Sequence, residues 1–100
     1  METYNKLVRD KIPEILDAKG IPYEKRIASR EEYKAELARK LEEEIREFLE
    51  ALDPEELADV LEVIEALKKL PEYANVDELR KRKLEERGGF EDRIILKGEK

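Results

Sequence analysis

The stretch KLEEEIREFLEALDPEELAD, residues 40–59, decides the fold of this 100-residue chain. Seven glutamates and two aspartates are interleaved here with leucines at helical spacing. Near its centre Asp53 is placed to cap a helix, Pro54 takes the first helical position, and Glu56 completes a capping box. The pattern predicts two long helices joined by a very short turn, which favours an antiparallel helical hairpin.

The first long helix has a start signal of its own, upstream of this stretch. Ser29 followed three residues later by Glu32 is another capping-box pattern, so we expect a helix over about residues 30–52. The second long helix should continue to about Leu70, because Pro71 disfavours helical backbone in the residue before it.

Shorter elements flank the hairpin. We expect a short helix beginning at Pro13 and a further helix over residues 76–87, capped by Asn75. Residues 22–28 and 92–97 contain isoleucines, and they could add a short two-stranded β element. The fold class is therefore mainly α, with an antiparallel helical hairpin as its core. Residues 1–100 are expected to form one domain.

Composition restricts the classes of function. The formal net charge is -6 and charged residues make up 48% of the chain, so general nucleic-acid binding is not expected. The chain contains no cysteine and no histidine, so a metal would have to be held by oxygen ligands. Oxygen ligands favour hard cations such as Mg²⁺ or Mn²⁺.

Length and hydropathy indicate the cellular location and the oligomeric state of the protein. No apolar run reaches the roughly 18 residues of a membrane span, and no apolar signal segment opens the chain, so we expect a cytoplasmic protein without membrane contact. A single 100-residue domain has a small core that a second copy would help to complete, so a homodimer or higher homo-oligomer is expected. Abundant Glu, Lys and Arg without glutamine or cysteine fits a heat-adapted source.

Helical geometry divides the acidic residues into two kinds. Glu44 lies roughly 60° from the centre of the first helix's apolar stripe, and Glu56 borders the stripe of the second helix. Glu47 and Asp59 lie three residues further on and point further outward. Four like charges brought together across a hairpin are costly unless a cation neutralises them. A solvated surface remains the alternative, in which Lys40 pairs with Glu44 and Glu56 serves only the capping box.

Four segments together resemble a known family. EEIRE (residues 43–47) and ELAD (residues 56–59) resemble the E-E-x-x-E and E-x-x-D signature of the MazG-like, all-α nucleoside triphosphate pyrophosphohydrolase superfamily. YNKLVRDKIPEIL (residues 4–16) and KLEERGGFEDRIIL (residues 83–96) are similar to the two ends of its small, phosphoribosyl-ATP pyrophosphohydrolase-like house-cleaning branch. The resemblance implies packed helices in a dimer or larger assembly, and Mg²⁺-dependent hydrolysis of a nucleoside triphosphate to monophosphate and pyrophosphate.

The resemblance also implies roles for individual residues. By motif position the magnesium ligands would be Glu44, Glu47, Glu56 and Asp59, with Mn²⁺ as a substitute ion. Glu43 would be a further ligand or a supporting carboxylate, and Glu43 or Glu47 could accept the proton of the attacking water. The substrate phosphates would be held by Lys6, Arg9, Lys11, Lys83 and Arg87, although a solvated basic face is the alternative. The tyrosines that could stack a base are Tyr4, Tyr23, Tyr33 and Tyr73.

Two other functions are compatible with the sequence. The chain could be a non-catalytic helical oligomerisation module whose acidic pairs lie on the surface, or a sensor that binds nucleotides through the same site. The sequence does not specify the base, the sugar or the number of metal ions. It also leaves open whether the site lies within one chain or across a dimer interface.

Overall fold

Helices account for the regular structure of residues 5–99, the part of the chain that the computed structural model describes. They are α1 (Ile12–Ala18), α2 (Arg30–Ala51), α3 (Pro54–Lys68) and α4 (Val76–Arg87), with a 3₁₀ turn (Pro71–Tyr73) between α3 and α4. The fold is therefore mainly α, as the sequence predicts. No helix among these residues is both long enough and apolar enough to span a membrane.

The predicted hairpin is confirmed, and both of its helices begin at a side-chain cap. Oγ of Ser29 accepts a hydrogen bond from the N–H of Glu32 at 3.2 Å, and Oδ1 of Asp53 accepts one from the N–H of Glu56 at 2.9 Å. Leu52 and Asp53 alone connect α2 to α3. Leu52 takes the left-handed conformation with φ of 53°, which reverses the chain within this two-residue connection.

The core of the hairpin is small. Leu37 of α2 and Val60 and Val63 of α3 are the buried apolar residues in the described part of the chain. Glu44, about two turns before the end of α2, is also buried and only 7% exposed. A carboxylate thus occupies a core position on the face where α2 packs against α3.

Two local predictions need correction. Residues 22–28 and 92–97 form no strand, so the expected β element is absent from the described chain. A strand requires a ladder partner, and Ile27 and Ile95 are 93% and 92% exposed, with nothing packed on them. Asn75 does take the N-cap position of α4, but its side chain makes no capping hydrogen bond.

Candidate metal centre

Three carboxylates converge where α2 and α3 lie side by side. One oxygen each from Glu44, Glu56 and Asp59 lie within 4.8 Å of one another. The short turn explains the convergence, because Glu56 lies in the first turn of α3, Asp59 one turn later, and Glu44 about two turns before the end of α2. The structure therefore brings together three of the four residues expected to bind metal.

Two of these carboxylates have buried oxygens that no described group satisfies. Oε2 of Glu44 and Oε2 of Glu56 are buried and have no hydrogen-bond partner among residues 5–99. Leaving a buried acceptor unpaired costs about 1–3 kcal/mol, and more when the group is charged. A site with such oxygens on both helices is matched to a cation, which would compensate both at once.

Burial and mutual repulsion raise the pKa values of the same two groups. The pKa of the Glu44 carboxyl is raised chiefly by desolvation, then by the charge of Glu47 and by a hydrogen bond between these two side chains, while Lys40 partly opposes the shift. The pKa of Glu56 is raised by desolvation first, then by the charges of Asp59 and Asp53. Both shifts mean that the ionised cluster is electrostatically strained without additional positive charge.

Basic side chains supply part of that charge. Nη2 of Arg9 donates to Oδ1 of Asp59 at 2.8 Å, and Nζ of Lys40 lies 3.4 Å from Oε1 of Glu44. Nζ of Lys6 lies 3.4 Å from Oε1 of Glu43. The basic segment that precedes α1 is thus bound to the acidic side of the hairpin.

Glu47 and Glu43, the other acidic candidates, differ in their surroundings. Glu47 is exposed and lies outside the converging group, although its charge acts on Glu44. It makes no ion pair with any residue that the structure describes. Glu43 is half-buried and is contacted by Lys6 and, at 3.6 Å, by Lys40. Glu47 therefore differs from Glu43 in having no basic partner, and its side-chain contact is with the carboxyl of Glu44.

The remaining basic candidates are not tied to the acidic cluster. Lys11 is exposed at the start of α1, and Lys83 and Arg87 are exposed on α4. None of these three forms an ion pair with another residue in the range 5–99. Of the five basic residues expected to hold phosphates, only Lys6 and Arg9 are joined to candidate carboxylates.

The tyrosine candidates are spread over the chain. Tyr73 lies beneath Lys34, whose Nζ is 5.2 Å from the ring centroid, and it lines an open groove of about 360 Å³ beside α2 and α3. Tyr23 and Tyr33 are half-buried. Tyr4 lies outside the described residues.

The donor set fits a hard divalent cation, because all its ligating atoms are carboxylate oxygens. Local spacing on each helix was enough to find Glu44 and Glu56. It could not find the contact of Arg9 with Asp59, since 50 positions separate them. No family model matches the chain, and neither does any curated protein or solved structure.

Proposed function

We propose that this protein is a Mg²⁺-dependent nucleoside triphosphate pyrophosphohydrolase. It would cleave the anhydride between the α and β phosphates and release a nucleoside monophosphate and pyrophosphate. The supporting observation is the buried Glu44, which has an unpaired oxygen and converges with Glu56 and Asp59 of the neighbouring helix. The motif resemblance is the basis for proposing a nucleoside triphosphate as the substrate and for including noncanonical nucleotides.

Glu44, Glu56 and Asp59 would hold the metal, and Glu47 is the fourth proposed ligand. Bound Mg²⁺ would neutralise triphosphate charge and favour ionisation of water, with Mn²⁺ as a substitute. The contribution of the protein is a pair of helices that hold the carboxylates together before the ion binds. This arrangement requires no nucleophilic side chain.

Arg9 and Lys6 are the two proposed phosphate-binding residues that contact candidate carboxylates. Both side chains are bound to carboxylates that a divalent cation would neutralise. A triphosphate then offers each of them a more strongly charged partner, and an arginine can bind phosphate through two parallel hydrogen bonds. Lys11, Lys83 and Arg87 remain phosphate-binding candidates through the resemblance alone.

Glu47 is the preferred acceptor for the proton of the attacking water. Its carboxylate is exposed and free of ion pairs among the described residues, whereas Glu43 is already contacted by Lys6 and Lys40. A general base needs an uncommitted lone pair within reach of the water. The effect of Glu47 on the pKa of Glu44 supports a role for Glu47 at the edge of the candidate metal centre.

The proposal includes a cytoplasmic location, a heat-adapted source and a homodimer or higher homo-oligomer. Support for self-association comes from the dimensions of the chain. Its radius of gyration is 18.0 Å. A compact domain of this length has about 13 Å.

The test is pyrophosphate release from a panel of canonical and modified nucleoside triphosphates in the presence of Mg²⁺. We expect release by the wild type and its loss in Glu44→Gln. The control is Glu42→Gln, because Glu42 is an exposed partner of Arg46 on the same helix. If the wild type releases no pyrophosphate from any nucleotide, the proposed enzymatic activity is excluded. Nucleotide binding without release would then indicate a sensor, and no binding would indicate an oligomerisation module.

A further inference from the structure

Glu43 on α2 is contacted by two lysines from different parts of the chain. Its Oε1 lies 3.4 Å from Nζ of Lys6, and its Oε2 lies 3.6 Å from Nζ of Lys40. Each oxygen of this carboxylate therefore has an ammonium partner of its own. One small anion joins the segment that precedes α1 to the middle of α2.

Helical spacing accounts for only one of these two contacts. Lys40 lies one turn before Glu43, and oppositely charged residues three positions apart often pair on a helix. Lys6 lies 37 positions before Glu43, so its contact is a tertiary one. Two ammonium groups repel each other at short range, and the carboxylate between them offsets that repulsion. The fold thus assembles two cations around a single anion.

Lys40 also connects this arrangement to the candidate metal centre. Its Nζ lies 3.4 Å from Oε1 of Glu44. The side chain of Lys40 is only 20% exposed, compared with 41% for Lys6 and 58% for Arg9. A cation that is less exposed to water is screened less, so it interacts more strongly with a neighbouring anion. An anion held by Lys6 and Lys40 would therefore lie next to a cation bound at Glu44.

We propose that Glu43 is an internal substitute for a phosphate group, and that its carboxylate fills an anion site formed by Lys6 and Lys40 while no nucleotide is bound. The inference rests on the proposed function, and the occupant of the site is the pair of terminal phosphates that leaves as pyrophosphate. A carboxylate carries one negative charge on two oxygens, whereas a terminal phosphate carries a higher charge and three acceptor oxygens. The phosphate displaces Glu43 because it gives each lysine a stronger charge-assisted hydrogen bond.

This assignment adds Lys40 to the phosphate-binding candidates and gives Glu43 a role of its own. Spacing alone could not identify Lys40, because its distance from Glu44 in the sequence is also that of an ordinary surface pair. Glu43 lies outside the three carboxylates that converge. While the site is empty of phosphate, Glu43 holds both lysines near the candidate metal centre, so little rearrangement is needed when a phosphate arrives.

Binding of inorganic pyrophosphate in the presence of Mg²⁺, measured by isothermal titration calorimetry, tests the proposal. Lys40→Met and Lys6→Met each remove one ammonium group and should weaken binding about tenfold or more. Glu43→Gln removes the competing charge, so it should bind pyrophosphate at least as tightly as the wild type. Unchanged affinity in Lys40→Met, weaker binding by Glu43→Gln, or no binding by either the wild type or Glu43→Gln would overturn the proposal.

Two exposed residues of α2 provide matched controls. Arg39→Met removes a positive charge one residue from Lys40, where the guanidinium pairs with Glu36 and is 72% exposed. Glu42→Gln removes a negative charge one residue from Glu43, where the carboxylate pairs with Arg46. Both controls should bind pyrophosphate as the wild type does. An equal loss in Arg39→Met and Lys40→Met would reduce the effect to net charge and contradict an anion site at Lys40.

Mn²⁺ binding in the absence of pyrophosphate gives a second readout for Lys40→Met. The variant loses a cation beside Glu44, so Mn²⁺ should bind at least as tightly as in the wild type while pyrophosphate binds more weakly. General damage to the hairpin would weaken both, and that result would make Lys40 a residue of the fold and overturn its role in anion binding.

The titrations measure binding and do not depend on hydrolysis. If no nucleotide is cleaved but the pyrophosphate affinities follow the expected order, the proposed enzyme fails and the anion site stands. If nucleotides are cleaved but Lys40→Met binds pyrophosphate as tightly as the wild type, the enzyme stands and the anion site at Lys6 and Lys40 is wrong.

Discussion

Arg9 and Asp59 form an ion pair between segments 50 residues apart, in which Nη2 of Arg9 donates to Oδ1 of Asp59 at 2.8 Å. The contact fastens the basic segment before α1 to the first turns of α3. Asp59 is also one of the three carboxylates that converge in the candidate metal centre. The guanidinium therefore provides part of the positive charge that the acidic cluster requires.

Replacing Arg9 should separate substrate binding from metal binding. In Arg9→Gln, Asp59 loses a competing cation, so Mn²⁺ should bind at least as tightly as in the wild type. The substrate loses a charged phosphate contact worth about 1.5–3 kcal/mol, so KM for the nucleotide should rise roughly tenfold or more. Steady-state kinetics and Mn²⁺ titration measure both effects. Arg46→Gln, which breaks only an exposed pair with Glu42, is the control. An unchanged KM in Arg9→Gln would contradict the proposed role.

The buried Glu44 should make stability depend on pH. Its raised pKa means that the folded state keeps a proton that the unfolded chain releases near the ordinary value of 4.5. The folded state thus binds more protons between that pH and the raised pKa, and stability falls as pH rises through this window. The stabilising effect of Glu44→Gln, measured as a Tm difference with a chelator present, should therefore grow from acidic to neutral pH.

Added metal should reverse the Tm difference between Glu44→Gln and the wild type, so that the wild type becomes the more stable protein. A ligand that binds only the folded state raises Tm by mass action, so Mn²⁺ should stabilise the wild type and leave Glu44→Gln unaffected. Glu42→Gln should behave as the wild type under both conditions. A pH-independent Tm difference between Glu44→Gln and the wild type would mean that Glu44 is ordinarily solvated.

Glu47 and Glu44 should respond differently to loss of charge. Glu44→Gln removes a buried member of the cluster, so both metal-dependent stabilisation and pyrophosphate release should disappear. Glu47→Gln removes an exposed carboxylate outside the converging group. It should keep most of the Mn²⁺-induced rise in Tm and lower kcat by about 10²–10⁴, the usual contribution of a general base. Equal loss of stabilisation in both variants would show that Glu47 contributes as much to metal binding as Glu44 does, and would contradict its role as the proton acceptor.

The two N-cap positions Ser29 and Asn75 provide a test of the fold. Ser29→Ala removes the hydrogen bond from the N–H of Glu32 and should cost about 1 kcal/mol of unfolding free energy. Asn75→Ala removes a side chain that makes no capping bond, so its effect should be markedly smaller. Urea unfolding followed by circular dichroism measures both values. A larger loss at Asn75 would show that its side chain caps α4 in solution.

Local sequence signals predicted the hairpin well. Each cap of α2 and α3 depends on residues three positions apart, and the observed helices end within a few residues of their predicted bounds. The prediction of two strands was wrong, because strand pairing depends on a partner that is distant in the sequence. Residues 22–28 and 92–97 have suitable side chains and no ladder to join.

The candidate site was predicted only in part. Helical angles placed Glu44 at the border of the apolar stripe, yet it is buried more deeply than Ile45, which is 40% exposed. The helices α2 and α3 contact each other on the side of their apolar stripes that lies next to the acidic residues. Ile45 and Leu61 therefore remain uncovered. How far a helix rotates about its axis depends on the whole contact with its neighbour, and no local pattern specifies it.

Direct titration with Mn²⁺ tests the central claim that the converging carboxylates form a metal centre. Electron paramagnetic resonance of the free ion would be followed for the wild type, Glu44→Gln and Glu42→Gln at neutral pH. Saturable binding by the wild type and Glu42→Gln, with binding lost in Glu44→Gln, is the predicted result. Equal binding by all three proteins, or binding by none, would contradict it.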